Sequence, residues 1–361
     1  MTDDNLKTLL DRHAAFWSRA PVDRPLLNTS TQSEESRYDL TGLNITLADG
    51  TTLSVQDEPL TPDMMDPTLM LDVQEFPNGA LARVSDGTQV VDDLLVTRAP
   101  LTKMTWVEAI MGCPVIPKLD TGSIYSAPYL ESAGQASNIP PPEESPWLSL
   151  LQDYTRALVE NSGGSYQVVQ CLQRGPIDLV SALMGHSEMC YAIADEPVEL
   201  HALSELCAET FVTVARAQEA IIPELEGGRC TPFGVWAPGT FVRTQCDVTS
   251  SVSSKMYEEV FFPYDVQICQ QFDYSAVHLH SGYLHTIDVF LKDKYPTAVQ
   301  VSLDTGSTPY TVHDLIPVFA RVLEVKPLFI QGRLTASELD ELLEKLPPRG
   351  LMVSTTIPDE E

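Results

Sequence analysis

From residue 166 to its end the sequence repeats one rhythm: a short apolar run, a loop, then a segment of helical periodicity. "YQVVQCLQRG" (166–175) reads as a buried strand and a turn, and "PIDLVSALMG" as a helix. Residues 195–222 form a long predicted helix with apolar positions every three or four residues, and "SSKMYEEVFFPYDVQICQQF" one that bends at Pro263. The strands "SAVHLH", "AVQVSLD", "PLFIQGRL" and "RGLMVSTTI" then alternate with the helices "YLHTIDVFLKD", "VHDLIPVFARVLEV" and "ASELDELLEKLP". Strands joined by crossover helices make parallel sheets, because a parallel connection has to travel back the length of the strand. The number of units predicts an α/β fold, a closed (β/α)8 TIM barrel in preference to an open sheet. No G-x-G-x-x-G follows an early strand, and no P-loop or G-x-S-x-G elbow is present.

Upstream the pattern is different. Leu6, Leu9, Leu10, Ala14 and Trp17 recur at helical spacing, and Pro21 and Pro25 end that helix. Between about 43 and 100, β-prone runs such as "NITLADGTTLSV" and "ALARVSDGTQVV" surround Asp-Gly turns, the signature of hairpins. We therefore expect residues 1–100 to be a helical and hairpin extension packing on a barrel of residues 101–361. "SNIPPPEESPW" (137–147) reads as a loop that opens another helix.

Charge narrows the function. The chain carries a net charge of −29, which repels phosphate backbones and anionic lipids, so nucleic-acid and membrane-surface binding are not expected. The start, "MTDDNLKTLLDRHAAFWSRAP", lacks the apolar core of a secretory signal, and no apolar run is long enough to span a bilayer. The seven cysteines are scattered without a C-x-x-C pair, as expected of reduced thiols in a cytoplasm. The expected partner is a small molecule.

In a barrel of this kind the chemistry sits at the C-terminal strand ends. "SAVHLH" ends in His278 and His280, two residues apart and so on one face of the strand, an arrangement that can present two nitrogens to zinc. A third ligand would come from Cys246, Asp247, His285 or Asp304, each near a predicted strand end. We assign His278, His280 and Cys246 to the metal and His285, Asp247 and Asp304 to catalysis. Gln245, Trp236 in the rigid "TPFGVWAPGTF" loop, and Tyr125 in the Pro/Gly-containing "GCPVIPKLDTGSIY" loop are candidates for substrate contact, with Phe233 and Lys118 beside them. Ser253 or Ser254 reads as a helix cap, and Asp247 can be read the same way.

"GPIDLVSALMG", "DEPVELHALSELCAETFVTVARAQ", "SSKMYEEVFFPY" and "VHLHSG", in that order and spacing, resemble the uroporphyrinogen decarboxylase superfamily over residues 150–357. "RHAAFWSRAPVDRPLL" and "WVEAIMGCPV" resemble a further branch of it. The resemblance implies the barrel and a homodimer. The true decarboxylases use an N-terminal Pro-Val-Trp-Phe-Met-Arg-Gln-Ala-Gly segment, which this chain lacks. The corrinoid-linked methyltransferases of the superfamily bind zinc through His-x-Cys and a cysteine on the last strand. Here His278-Leu279-His280 stands in place of the first pair and Ser354 and Thr355 in place of the last cysteine. A nitrogen and oxygen donor set leaves a more Lewis-acidic metal than thiolates do.

The expectation is thus a methyltransferase. It would move a methyl group between a small methylated substrate, a corrinoid on a partner protein, and a folate or thiol acceptor, with zinc at the histidines. A decarboxylase or lyase using the histidines as acid and base, and a ligand-binding barrel without catalysis, are the alternatives.

Overall fold

The computed structural model describes residues 3–32, 45–53, 58–70, 93–101, 104–118, 123–304 and 310–358. Its centre is a six-stranded sheet, in spatial order Leu26–Gln32, Leu351–Pro358, Leu328–Arg333, Ala298–Leu303, Tyr274–His280 and Phe241–Gln245. Every pairing in it is parallel. Each crossover carries helix, as the sequence rhythm requires: Ser254–Val260 and Phe262–Cys269, then Ile287–Lys292, Val312–Val325 and Ala336–Lys345. Two of these helices start at full capping boxes, Thr311 with Asp314 and Thr335 with Glu338, which satisfy amide groups left without partners in the first turn. Ser253 caps the helix that follows it, accepting the Met256 N–H. The bend expected at Pro263 is a break into two helices, with the proline in the first turn of the second, where its missing N–H costs nothing.

The expected closed barrel is met in part. Thr97–Arg98 and Gln167–Val168 form a separate parallel pair. Single backbone hydrogen bonds tie the flanks of that pair to both edges of the large sheet. The Asp93 N–H donates to the Leu27 carbonyl at 3.1 Å and the Gly175 N–H to the Gln245 carbonyl at 2.8 Å. The strand ladder itself is continuous over six strands among the described residues.

The boundary expected at residue 100 cuts through this sheet, because Leu26–Gln32 pairs along its length with Leu351–Pro358. Of the expected hairpins, Thr46 and Thr52 bridge across the Asp49-Gly50 turn, whereas "ALARVSDGTQVV" (80–91) lies outside the described residues. A further antiparallel hairpin joins Val115–Lys118 to Ser123–Ser126. Among the described residues no helix is long and apolar enough to cross a membrane.

Strand periodicity separates the sheet into two faces. Val277, Leu279, Val299, Val301, Leu328, Ile330, Leu351 and Val353 belong to the main core under the helices. The alternate residues Leu26, Phe241, Ala276, Ala298, Phe329 and Met352 join Phe16, Trp17 and Phe233 in a second cluster at the N-terminal strand ends. The first helix, Asp3–Ser18, closes that end. Phe16 and Phe233 lie 4.7 and 4.8 Å from the Phe329 ring, centroid to centroid. His13 locks the arrangement, donating from Nε2 to the Asp93 carbonyl at 2.6 Å and accepting the Trp236 N–H on Nδ1 at 2.9 Å. Burial pulls its pKa down to about 4, so it serves as a neutral ring with both nitrogens used.

Candidate metal centre

Further along the same inner face the strands turn polar. Gln245 pairs in register with His278, His278 with Gln300, and His280 with Ser302. His278 and His280 therefore project together at the C-terminal strand ends, as their spacing predicted. Their rings meet at 4.8 Å between centroids, and their Nε2 atoms lie 3.3 Å apart.

The far ring nitrogens explain that approach. His280 Nδ1 lies 2.9 Å from the Asp304 carboxylate, an acceptor only, so Nδ1 carries the proton. His278 Nδ1 donates to the Gln300 side-chain oxygen in the same way. Each ring then turns its Nε2 toward the other. Burial, and next the charge of Arg243, hold the His278 pKa well below that of a free imidazole, so it stays neutral. Ring nitrogens this close share either a proton or a cation between them. The edge of a zinc tetrahedron with nitrogen ligands is about 3.3 Å, which the observed separation matches.

Asp247 completes the group. Together with His278 and His280 it offers ligand atoms that all lie within 4.8 Å of one another, a triad that can hold a metal ion. Its Oδ1 lies 3.6 Å from His280 Nε2 and has no hydrogen-bond partner among the described residues. The Gln245 amide donates to the other oxygen. Asp247 opens a short 3-10 turn directly after its strand, and Asp178 fixes that turn by accepting the N–H groups of Asp247 at 3.1 Å and Val248 at 2.9 Å. Burial, and next the neighbouring Asp247 charge, raise the Asp178 pKa to about 8. Gly175 lets this segment come so close: a Cβ there would meet the Gln245 carbonyl oxygen at 2.4 Å.

The remaining candidates divide. Tyr125, 38% exposed, lines a cleft of about 270 Å³ with Ser126, Arg174, Asp178 and Asp247. Asp304 orients His280 and stands behind it. His285 is outside the triad, its Nε2 donating to the Val252 carbonyl at 3.0 Å. Cys246 is outside it too. One residue past Gln245, it falls on the opposite face, buried beside Tyr257 and Asp265, and burial pushes its thiol pKa far up. Trp236 lies at the other end of the strands, packed with Leu10 of the first helix and donating its indole N–H to the Leu225 carbonyl. Phe233 belongs to the aromatic cluster there. Ser354 shares the inner face, in register with Gln331, while Thr355 is buried on the other.

Sequence reasoning missed Gln300, Asp178 and Arg243. Gln300 and Arg243 had a signal: each is a lone polar or charged residue inside an apolar strand, in step with inward neighbours. Asp178 had none, since its role depends on a chain segment 69 residues away.

No family model matches this sequence, and no curated protein matches it. Among solved structures, a methyltransferase from Methanosarcina mazei superposes on it with a TM-score of 0.62 at 13% sequence identity, over 97% of this chain and 93% of the other. At that identity the likeness concerns the fold.

Proposed function

We propose that this chain is a methyltransferase of the uroporphyrinogen decarboxylase superfamily, acting on a small methylated substrate. The methyl group would pass by way of a corrinoid on a partner protein to a folate or thiol acceptor. The observation that carries the reading is the convergence of two imidazole nitrogens and a carboxylate oxygen without a hydrogen-bond partner among the described residues. The parallel sheet, the hydrogen bonds at its two edges and the solved methyltransferase of similar fold support a (β/α)8 barrel with this point at its mouth.

The donors fit zinc: two nitrogens and a carboxylate leave a fourth position open, the pattern of catalytic rather than structural sites. His278, His280 and Asp247 would hold it. Zinc bound there supplies Lewis acidity and, without thiolate ligands, suits an oxygen-bearing substrate. Gln300 and Asp304 keep the two rings in the ligating tautomer. Asp178 and Gln245 hold the Asp247 carboxylate in place, and Tyr125 lines the cleft beside Asp247.

The test is metal content by plasma mass spectrometry on wild type and on a His278→Ala/His280→Ala variant, paired with a methyl-transfer assay with corrinoid protein. About one zinc per chain in wild type, lost in the variant together with transfer, is the expected result. Wild type without metal as isolated and after zinc supplementation would remove this reading and favour the histidines as an acid–base pair in a lyase.

A further inference from the structure

Arg243 lies outside the triad, and among the described residues two of its three guanidinium nitrogens have no hydrogen-bond partner. It lies between Phe241, in the aromatic cluster, and Gln245, at the mouth, and alternation along the strand puts all three on the inner face. Its register partner is Ala276, one of the smallest inward residues. It is 8% exposed, and its Nε and Nη1 have no hydrogen-bond partner among the described residues. Asp247, the carboxylate whose charge acts most on it, is already engaged by Gln245 on one oxygen and turns the other to His280. Burying a guanidinium without a partner is strongly unfavourable, and folded chains keep such a group where a ligand completes it. Phe16, Trp17 and Phe233 pack with Phe241 on the side of the floor.

We infer that Arg243 recognises a carboxylate on a small molecule bound at these C-terminal strand ends. A planar guanidinium offers two parallel N–H donors that match a carboxylate in width. The overall charge of −29 opposes a polyanion, so a single carboxylate is the anion that suits this interior. The position sets the recognition geometry: the anionic group lies deep, under His278, and the reacting end of the molecule lies outward, toward His280 and Asp247. The inference rests on the reading of this mouth as a substrate site, and it does not require methyl transfer.

The experiment measures thermal unfolding and calorimetric binding of the zinc-supplemented protein with acetate, methoxyacetate, benzoate and the neutral methoxyacetamide. Wild type is expected to be stabilised by the carboxylates and to prefer methoxyacetate over its amide by about tenfold or more, the usual worth of a buried charged hydrogen bond. Arg243→Met should melt above wild type without ligand, lose the carboxylate response and keep its zinc. Arg243→Lys should retain a weakened response. The inference is overturned if no carboxylate stabilises wild type, if the amide binds as well, if Arg243→Met still prefers the acid, or if it melts below wild type. Zinc at about one per chain without a carboxylate preference sinks this inference alone. A carboxylate preference without methyl transfer sinks the proposed function alone.

Discussion

At one end of the sheet's inner face Phe241, Ala276, Ala298, Phe329 and Met352 pack with Phe16, Trp17 and Phe233 into an apolar floor. A few residues further along the same strands stand Gln245, His278, His280, Gln300 and Ser302. The floor is held by area and shape: its aromatic rings meet mostly at steep angles, and its polar atoms are few and satisfied, as with the Trp17 indole N–H on the Trp236 carbonyl. The mouth is held by directed bonds, and Asp247, His278 and His280 there bring their ligand atoms within 4.8 Å of one another. The difference separates what keeps the barrel-like sheet folded from what it is folded for, and Arg243 stands at the boundary.

Changes at the two ends should fail in different ways. The largest effect is expected at the mouth: His278→Ala/His280→Ala should abolish zinc binding and lower turnover by about a thousandfold or more, with little change in the urea midpoint. A collapse of stability in that variant would mean that the mouth also holds the fold. At the floor, Phe329→Ala should cost about 3–5 kcal/mol in urea unfolding, with zinc still bound to the remaining folded protein. Zinc loss before unfolding would break the separation.

The outer face supplies a third case. Thr244 and Tyr257 each donate to the buried Asp265 at 2.7 Å, yet burial outweighs them and raises its pKa to about 6. A carboxyl whose pKa is raised on folding favours the folded state while protonated. Its contribution is present below about pH 4 and is lost as pH rises through about 6. Asp265→Asn should therefore flatten the stability profile over that window relative to wild type, by on the order of 2–3 kcal/mol across it. An unchanged pH slope would refute it. The smallest effect sharpens the mouth: Asp304→Asn should weaken zinc affinity about 10- to 100-fold by loosening the tautomer of His280, read by competition with a chelator.

Much of the fold was legible because its signals are local. The helix cap at Ser253, the break at Pro263 and the pairing of His278 with His280 follow from neighbours a few residues away. The errors came where one residue of phase decides. Cys246 and Asp247 are adjacent, and the sequence reading placed both near the strand end, assigning the first to the metal and the second to catalysis. The strand ends between Gln245 and the turn, sending the thiol into the core and the carboxylate to the histidines. Trp236 failed for another reason: its loop precedes its strand, so it lies at the floor, where the first helix meets it.

The sequence by itself determined the alternation of strands and helices, the parallel sheet and the two histidines that share a face, because hydrophobic period and side-chain period are properties of consecutive residues. Tertiary structure decided the strand contributed by Leu26–Gln32, the third member of the triad, the tautomers imposed by Gln300 and Asp304, and the isolation of Arg243. Each of these depends on atoms brought together from distant parts of the chain, and a sequence pattern does not carry the distances on which hydrogen bonds and coordination depend.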